Sequence, residues 1–257
     1  MRTYIAFTKK EFTENLRTYK FLIMVVVFLI FGAMSPLLAK FTPELLKMSG
    51  LSASAASALG VGTPTMIDSW AQFFKNVGQL GLLVVAIVFS GIMANEFTKG
   101  TLINMLTKGL KRSTVIFSKL TVAVTVWTLA YLLCLGTCWG YTAYYFAKIG
   151  MSNVFISFFS LWLFGVLLIA LLIFGGVMFK GILGSLLTAG GAVVVLSIIN
   201  IIPKFQKYNP ATLSGDSMSL LTAHKALSDV LPATIICGVL ILLLVTASIW
   251  VFRKKQV

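Results

Sequence analysis

The sequence predicts an all-α polytopic membrane protein. It has six transmembrane helices, both termini in the cytoplasm, an amphipathic interfacial helix ahead of the first span and a short cytoplasmic helix between the second and third. Three observations predict this. Of 257 residues, 58% are hydrophobic and 11% are charged, against about a quarter charged in a typical soluble domain. The apolar residues are gathered into six long runs. Lys and Arg flank those runs unequally on the two sides.

The first twenty residues precede any run. Ile5, Phe12, Leu16 and Tyr19 recur at helical spacing, with Lys10, Glu11, Glu14 and Arg17 opposite. An amphipathic helix of this kind lies along a membrane surface. The six runs follow at about 21–39, 76–94, 120–146, 152–179, 182–202 and 232–252. Each approaches or exceeds the ~20 residues that cross ~30 Å of hydrocarbon. A cleaved leader is not expected at the first run, because Ser35 to Lys40 offers no clear small-x-small site. Only Lys180 and Gly181 separate the fourth run from the fifth, which predicts a tight hairpin. The whole chain, 1–257, reads as one membrane domain.

Orientation follows from the basic residues. Of the 21 Lys and Arg, fourteen fall on the lead, 95–119, Lys180 and the C-terminus. Seven fall on the segments of the other side. Positive charge is retained inside, so the N-in, C-in arrangement is expected. The net charge of +14 is then explained by anionic headgroups, and no nucleic-acid partner is expected.

Aromatic residues mark the expected interfaces: Trp70, Phe73 and Phe74 before the second run, Trp139, Tyr141, Tyr144 and Tyr145 closing the third, and Trp250 and Phe252 closing the sixth. On the outer side, Lys40 to Lys75 reads as a loop whose small-residue stretch, Ser49 to Gly62, should be mobile. Pro203 to Leu231 reads as a second, with a short helix at Ser217 to Leu227. Gly136 with Gly140, and Gly181 with Ser185, are small-xxx-small pairs that would let helices approach closely.

No catalytic or metal site is expected. Cys134, Cys138 and Cys237 fall in apolar runs, without the His or acid that would complete a metal site. The single histidine, His224, has no intramembrane acid or nucleophile beside it. None of the six runs contains Asp, Glu, Lys, Arg or His, so the relay of a secondary transporter or pump is not expected. No Gly-x-x-x-x-Gly-Lys-Ser/Thr occurs, so the chain has no P-loop for ATP.

The segment 95–119 is the most informative. Leu102, Met105 and Leu106 stand at i, i+3, i+4 and make the apolar face of a short helix. Thr101 could cap it and Ser113 could cap the next. Spacing alone leaves two readings equally open, a docking element for another protein or an inner loop whose charges only set topology.

Glu96-x-x-x-Gly100-Thr101-Leu102, then Leu106, Arg112 and Lys119-Leu120, resembles the signature of permease subunits of type-2 ABC transporters. The six-span plan, the basic lead and the chain length extend the resemblance over nearly the whole chain. It departs at Gly109, where the family usually has Pro. The resemblance implies that Glu96, Gly100, Thr101, Leu102, Met105, Leu106 and Arg112 couple to a cytoplasmic ABC ATPase. It implies two ATPase copies carrying ATP and Mg, and a second copy of this chain or a related permease. In such proteins the second and fifth spans line the path, which nominates Ser90, Ser197 and Asn200. It implies an exporter in a plasma membrane, of bacterial type. A non-transporting accessory or scaffold protein and an integral membrane enzyme are the other classes considered. The enzyme lacks convergent acids, histidines or metal ligands.

Overall fold

The computed structural model describes residues 2–48, 63–98, 100, 105, 107, 109–147 and 149–255, apart from the side chains of 45–47. The described part is helical, without strands, and six helices are long and apolar enough to cross a membrane. The chain is a multi-pass α-helical membrane protein.

The leading helix, Arg2–Arg17, turns at Tyr19, which adopts a left-handed conformation (φ 57°). The first spanning helix, Lys20–Met48, contains Pro36 and Pro43. Each proline removes a backbone donor. The residue before each, Ser35 and Thr42, returns its hydroxyl to the carbonyl four residues back, Phe31 and Leu38. The carbonyls freed by the prolines are those of Gly32 and Ala39, so these hydroxyls add a second donor one position earlier, a back-bond that bends helices.

The second span starts ten residues earlier than the apolar run suggests. Thr65 and Asp68 form a reciprocal capping box over Met66–Lys75, the Thr-x-x-acid pattern of a helix start. The helix widens into a π-helical stretch at Asn76–Gly81, then continues through Leu82–Phe89 and Gly91–Thr98. Helix therefore claims both flanks of the expected outer loop, and its middle, Ser49 to Gly62, lies outside the described residues. The third span is Arg112–Tyr145, the fourth Val154–Phe179, the fifth Ile182–Ile199 and the sixth Leu227–Lys254. Lys180, left-handed at φ 57°, makes the expected hairpin between the fourth and fifth. The outer segment before the sixth span holds three short helices, Pro203–Gln206, Thr212–Gly215 and Ser217–Leu221.

The fourth span is the axle of the bundle, buried along most of its length. Lipid tails are as apolar as leucine, so helices associate here through close packing. Small residues supply the approach. A Cβ on Gly165 would fall 2.5 Å from the Trp127 ring, and one on Gly32 would fall 2.6 Å from the Cys134 carbonyl. Gly175 takes Ser185, whose hydroxyl donates to the Leu172 carbonyl at 2.7 Å. Gly136 and Gly140, expected at an interface, face open space within this chain.

The aromatics divide. Tyr144 and Trp250 are exposed, as an interfacial belt requires, whereas Trp70, Phe73, Phe74 and Phe252 are buried. Phe158 of the fourth span draws the first three inward. Its ring centroid lies 5.1 Å from Trp70, 5.7 Å from Phe73 and 5.1 Å from Phe74. Such contacts contribute about 0.5–1.5 kcal/mol each beyond area burial.

Candidate functional site

Both termini, the end of the second span, the start of the third and the turn at Lys180 meet at one end of the bundle. By the basic bias this is the inner end. The leading helix lies against the first turns of the third span. The Tyr4 hydroxyl meets the Thr121 hydroxyl at 2.8 Å, and the Thr8 hydroxyl donates to Ser118 at 3.1 Å. Its inward face is Phe7, Glu11 and Asn15, while Ile5, Leu16 and Tyr19 stay exposed. This corrects the assignment of Glu11 to the outward polar face. The apolar stripe is left for lipid, and the buried acid finds its partner elsewhere in the chain.

That partner is Lys119. Its ammonium sits 2.8 Å from Glu11 and 3.1 Å from Glu96. Lys10 closes the ring from the solvent side, 3.1 Å from Glu11, 3.2 Å from Glu96 and 2.7 Å from Glu14. Glu11, Glu96 and Lys119 are at most 5% exposed. Three carboxylates and two ammoniums thus bind the leading helix to the second and third spans. Lys119, expected on an inner loop as a topology signal, is instead a buried ion-pair residue inside the third helix.

Burial alone would lower the affinity of Lys10 for its proton. The hydrogen bond it donates to Glu14 and the charges of Glu11 and Glu96 outweigh it and raise the ammonium above its ordinary range. Oxygens of Glu11, Glu14 and Glu96 come within 4.8 Å of one another, near enough to hold a metal. The Lys10 ammonium already lies within hydrogen-bond distance of all three carboxylates, so lysine fills the cation position.

Arg112 opens the third helix without side-chain capping from Lys111 or Ser113, so the expected Ser113 cap is not used. Its guanidinium donates to the carbonyls of Phe252, Arg253 (3.2 Å) and Lys255 (2.7 Å). It caps the C-terminus of the sixth span, where unsatisfied carbonyls carry partial negative charge. Met105 packs against the chain's own core, and Gly100 is left-handed at φ 65°. Thr101, Leu102 and Leu106 lie outside the described residues.

A second feature opens between the second and fifth spans, a lateral groove of about 510 Å³. Its floor includes Leu82, Ala86, Phe164, Leu168 and Ala189; Gln79, Ser197, Asn200 and Ser214 supply polar atoms, and no lining residue is ionisable. The π-helical stretch contributes Gly78 and Gln79. It is anchored from behind by Asn76, whose amide donates to Ser35 at 3.1 Å. Single π-turns often mark functional sites. The buried Asn200 carboxamide oxygen has no hydrogen-bond partner. Ser197 and Asn200 lie on the groove, while Ser90 is buried outside its lining and donates to the Ile87 carbonyl at 2.8 Å.

Sequence reasoning missed Glu11, Lys10 and Lys119 as one unit, and Gln79 on the groove. The Thr65 capping box was legible in the sequence; the ion cluster was not, because the leading helix, Glu96 and Lys119 that it joins are separated by 23 to 108 residues. No protein-family model matches the chain, and no curated protein does.

Proposed function

We propose that the chain is the membrane-spanning subunit of an ATP-driven ABC exporter, coupled to a separate ATPase through the segment 95–119. The observation that carries this reading is the ion cluster. Glu96 and Lys119, near the two ends of that segment, bind each other and the leading helix. A segment pinned at its base moves with the second and third spans. Force applied to it by a partner closing around ATP would reach the groove between the second and fifth spans. The absence of a P-loop and of ionisable residues in that groove fits a path whose energy comes from a partner chain. ATP and Mg would reside on two ATPase subunits, beside a second copy of this chain or a related permease. The cell membrane of a bacterium is the expected setting.

The test is co-expression with candidate ATPase subunits and purification through a tag on this chain. Retention of an ATPase, lost or uncoupled by Glu96→Ala or by Leu102→Asp with Leu106→Asp, supports the reading. Failure of the folded chain to retain or crosslink any ATPase in membranes would overturn it in favour of an accessory protein.

A further inference from the structure

The groove between the second and fifth spans is graded along its length. The second span descends from the outer end and the fifth returns to it, so Gln79, Ser197 and Asn200 all stand toward the outer side. Ser214 joins them from the short helix Thr212–Gly215. Below them the walls are apolar, with Leu82, Ala86, Leu168 and Ala189. From Leu186 to Asn200, both on the groove, the fifth span rises ~21 Å at ~1.5 Å per residue. One leaflet of hydrocarbon is ~15 Å deep, so the groove has the reach of a lipid chain.

The polar mouth is held in place. The buried Asn209 donates its side-chain amide to the Leu196 carbonyl at 2.6 Å, and Gln206 donates to the Asn200 backbone carbonyl at 2.9 Å. These bonds tie the outer segment to the end of the fifth span. The Ser197 and Ser214 hydroxyls spend their protons on the Val193 and Ala211 carbonyls, at 2.8 and 3.0 Å, and keep lone pairs that can accept. The Asn200 side-chain oxygen is buried and receives no donor. A buried acceptor left in this state is costly, and an O–H or N–H brought by a ligand would satisfy it. A charged head has no counter-charge among the lining residues and would lose its water without return.

We propose that the groove binds an uncharged amphiphile of the outer leaflet whose head carries a free hydroxyl. The hydroxyl donates to Asn200, and the chain lies along Leu82, Ala86 and Ala189. That this amphiphile is the transported substrate rests on the exporter reading above; its binding is a property of this chain alone.

The probe is a diacylglycerol with a photoreactive acyl chain, added to the full-length chain in phosphatidylcholine nanodiscs without any ATPase. Crosslinked peptides are located by mass spectrometry. Labelling should fall on the second and fifth spans and be competed by dioctanoylglycerol. Trioctanoylglycerol, which lacks the hydroxyl, and dioctanoyl phosphatidic acid, which is charged, should compete about tenfold less well. Asn200→Leu should weaken dioctanoylglycerol about tenfold, to the level of trioctanoylglycerol. A Cβ at Gly190, on the groove wall, meets nothing within 4 Å, so Gly190→Phe should fill the groove without disturbing the helix and abolish labelling. This second variant keeps the test open should Asn200→Leu fold poorly. Labelling that persists in Gly190→Phe, a folded Asn200→Leu that behaves as the native chain, or a preference for phosphatidic acid would overturn the proposal. So would equal competition by all three lipids, which would make the groove a face covered by any acyl chain. Lost labelling leaves ATPase retention untouched, and lost ATPase retention leaves labelling untouched, so the two readings fail separately.

Discussion

Lys119 lies 2.8 Å from Glu11, a residue 108 positions earlier, and both are almost wholly buried. Glu96 shares the same ammonium at 3.1 Å. A buried lysine between two carboxylates is a poor source of net stability but a costly thing to break, because removing one partner strands the others without water.

Lys119→Met should therefore destabilise the chain by about 3–5 kcal/mol, seen as a fall in thermal midpoint in detergent. Adding Glu11→Gln and Glu96→Gln to Lys119→Met should recover part of the loss. A Lys119→Met protein as stable as the native one would show that the cluster is solvated.

Lys10 gives a pH prediction. Its folded-state proton affinity is raised by Glu14, Glu11 and Glu96 against the opposing effect of burial. A raised value means that its contribution is complete below the unfolded lysine value of about 10.4 and is lost as pH climbs beyond it. The stability difference between native chain and Lys10→Met should stay level from neutral pH to about 10 and shrink above. A difference that already shrinks between pH 7 and 9 would contradict the assignment.

The glycines separate close packing from mere composition. Gly165→Ala would drive a methyl into the Trp127 ring and should cost about 1–3 kcal/mol, with a shift in tryptophan fluorescence. Gly136→Ala and Gly140→Ala meet nothing within 4 Å and should leave the stability of the isolated chain unchanged. Thermal scans of the three variants decide between them.

Arg112 caps the sixth span through three carbonyls. Arg112→Ala should fray its last turn, with faster amide exchange near Phe252 and a loss of about 0.5–2 kcal/mol, the size of a helix cap. Lysine should restore little, since it lacks the planar fork of donors. Unchanged exchange at the sixth span together with lost ATPase retention would assign Arg112 to the partner instead.

The six runs were legible because a membrane span is defined by its own residues: length, apolarity and flanking charge. The Lys180–Gly181 hairpin was legible for the same reason, since two residues admit little else. The ends of the second span were harder. Apolarity marks hydrocarbon and says nothing of a helix continuing past it, so Met66–Lys75 was missed although Thr65 and Asp68 announce it. The groove was legible only in part, since Ser197 and Asn200 lie on it and Ser90 does not.

The sequence by itself determined the class of the molecule, the number of its spans and the unequal charge of its two ends, because each follows from local composition against the bilayer. Only the tertiary structure decided which face of the leading helix turns inward and which aromatics leave the interface. It alone joined Glu11, Glu96 and Lys119, and it alone turned Arg112 onto the sixth span. Periodicity sorts apolar from polar residues along one helix. It carries no information about a charge that is buried because its counter-charge arrives from a distant helix.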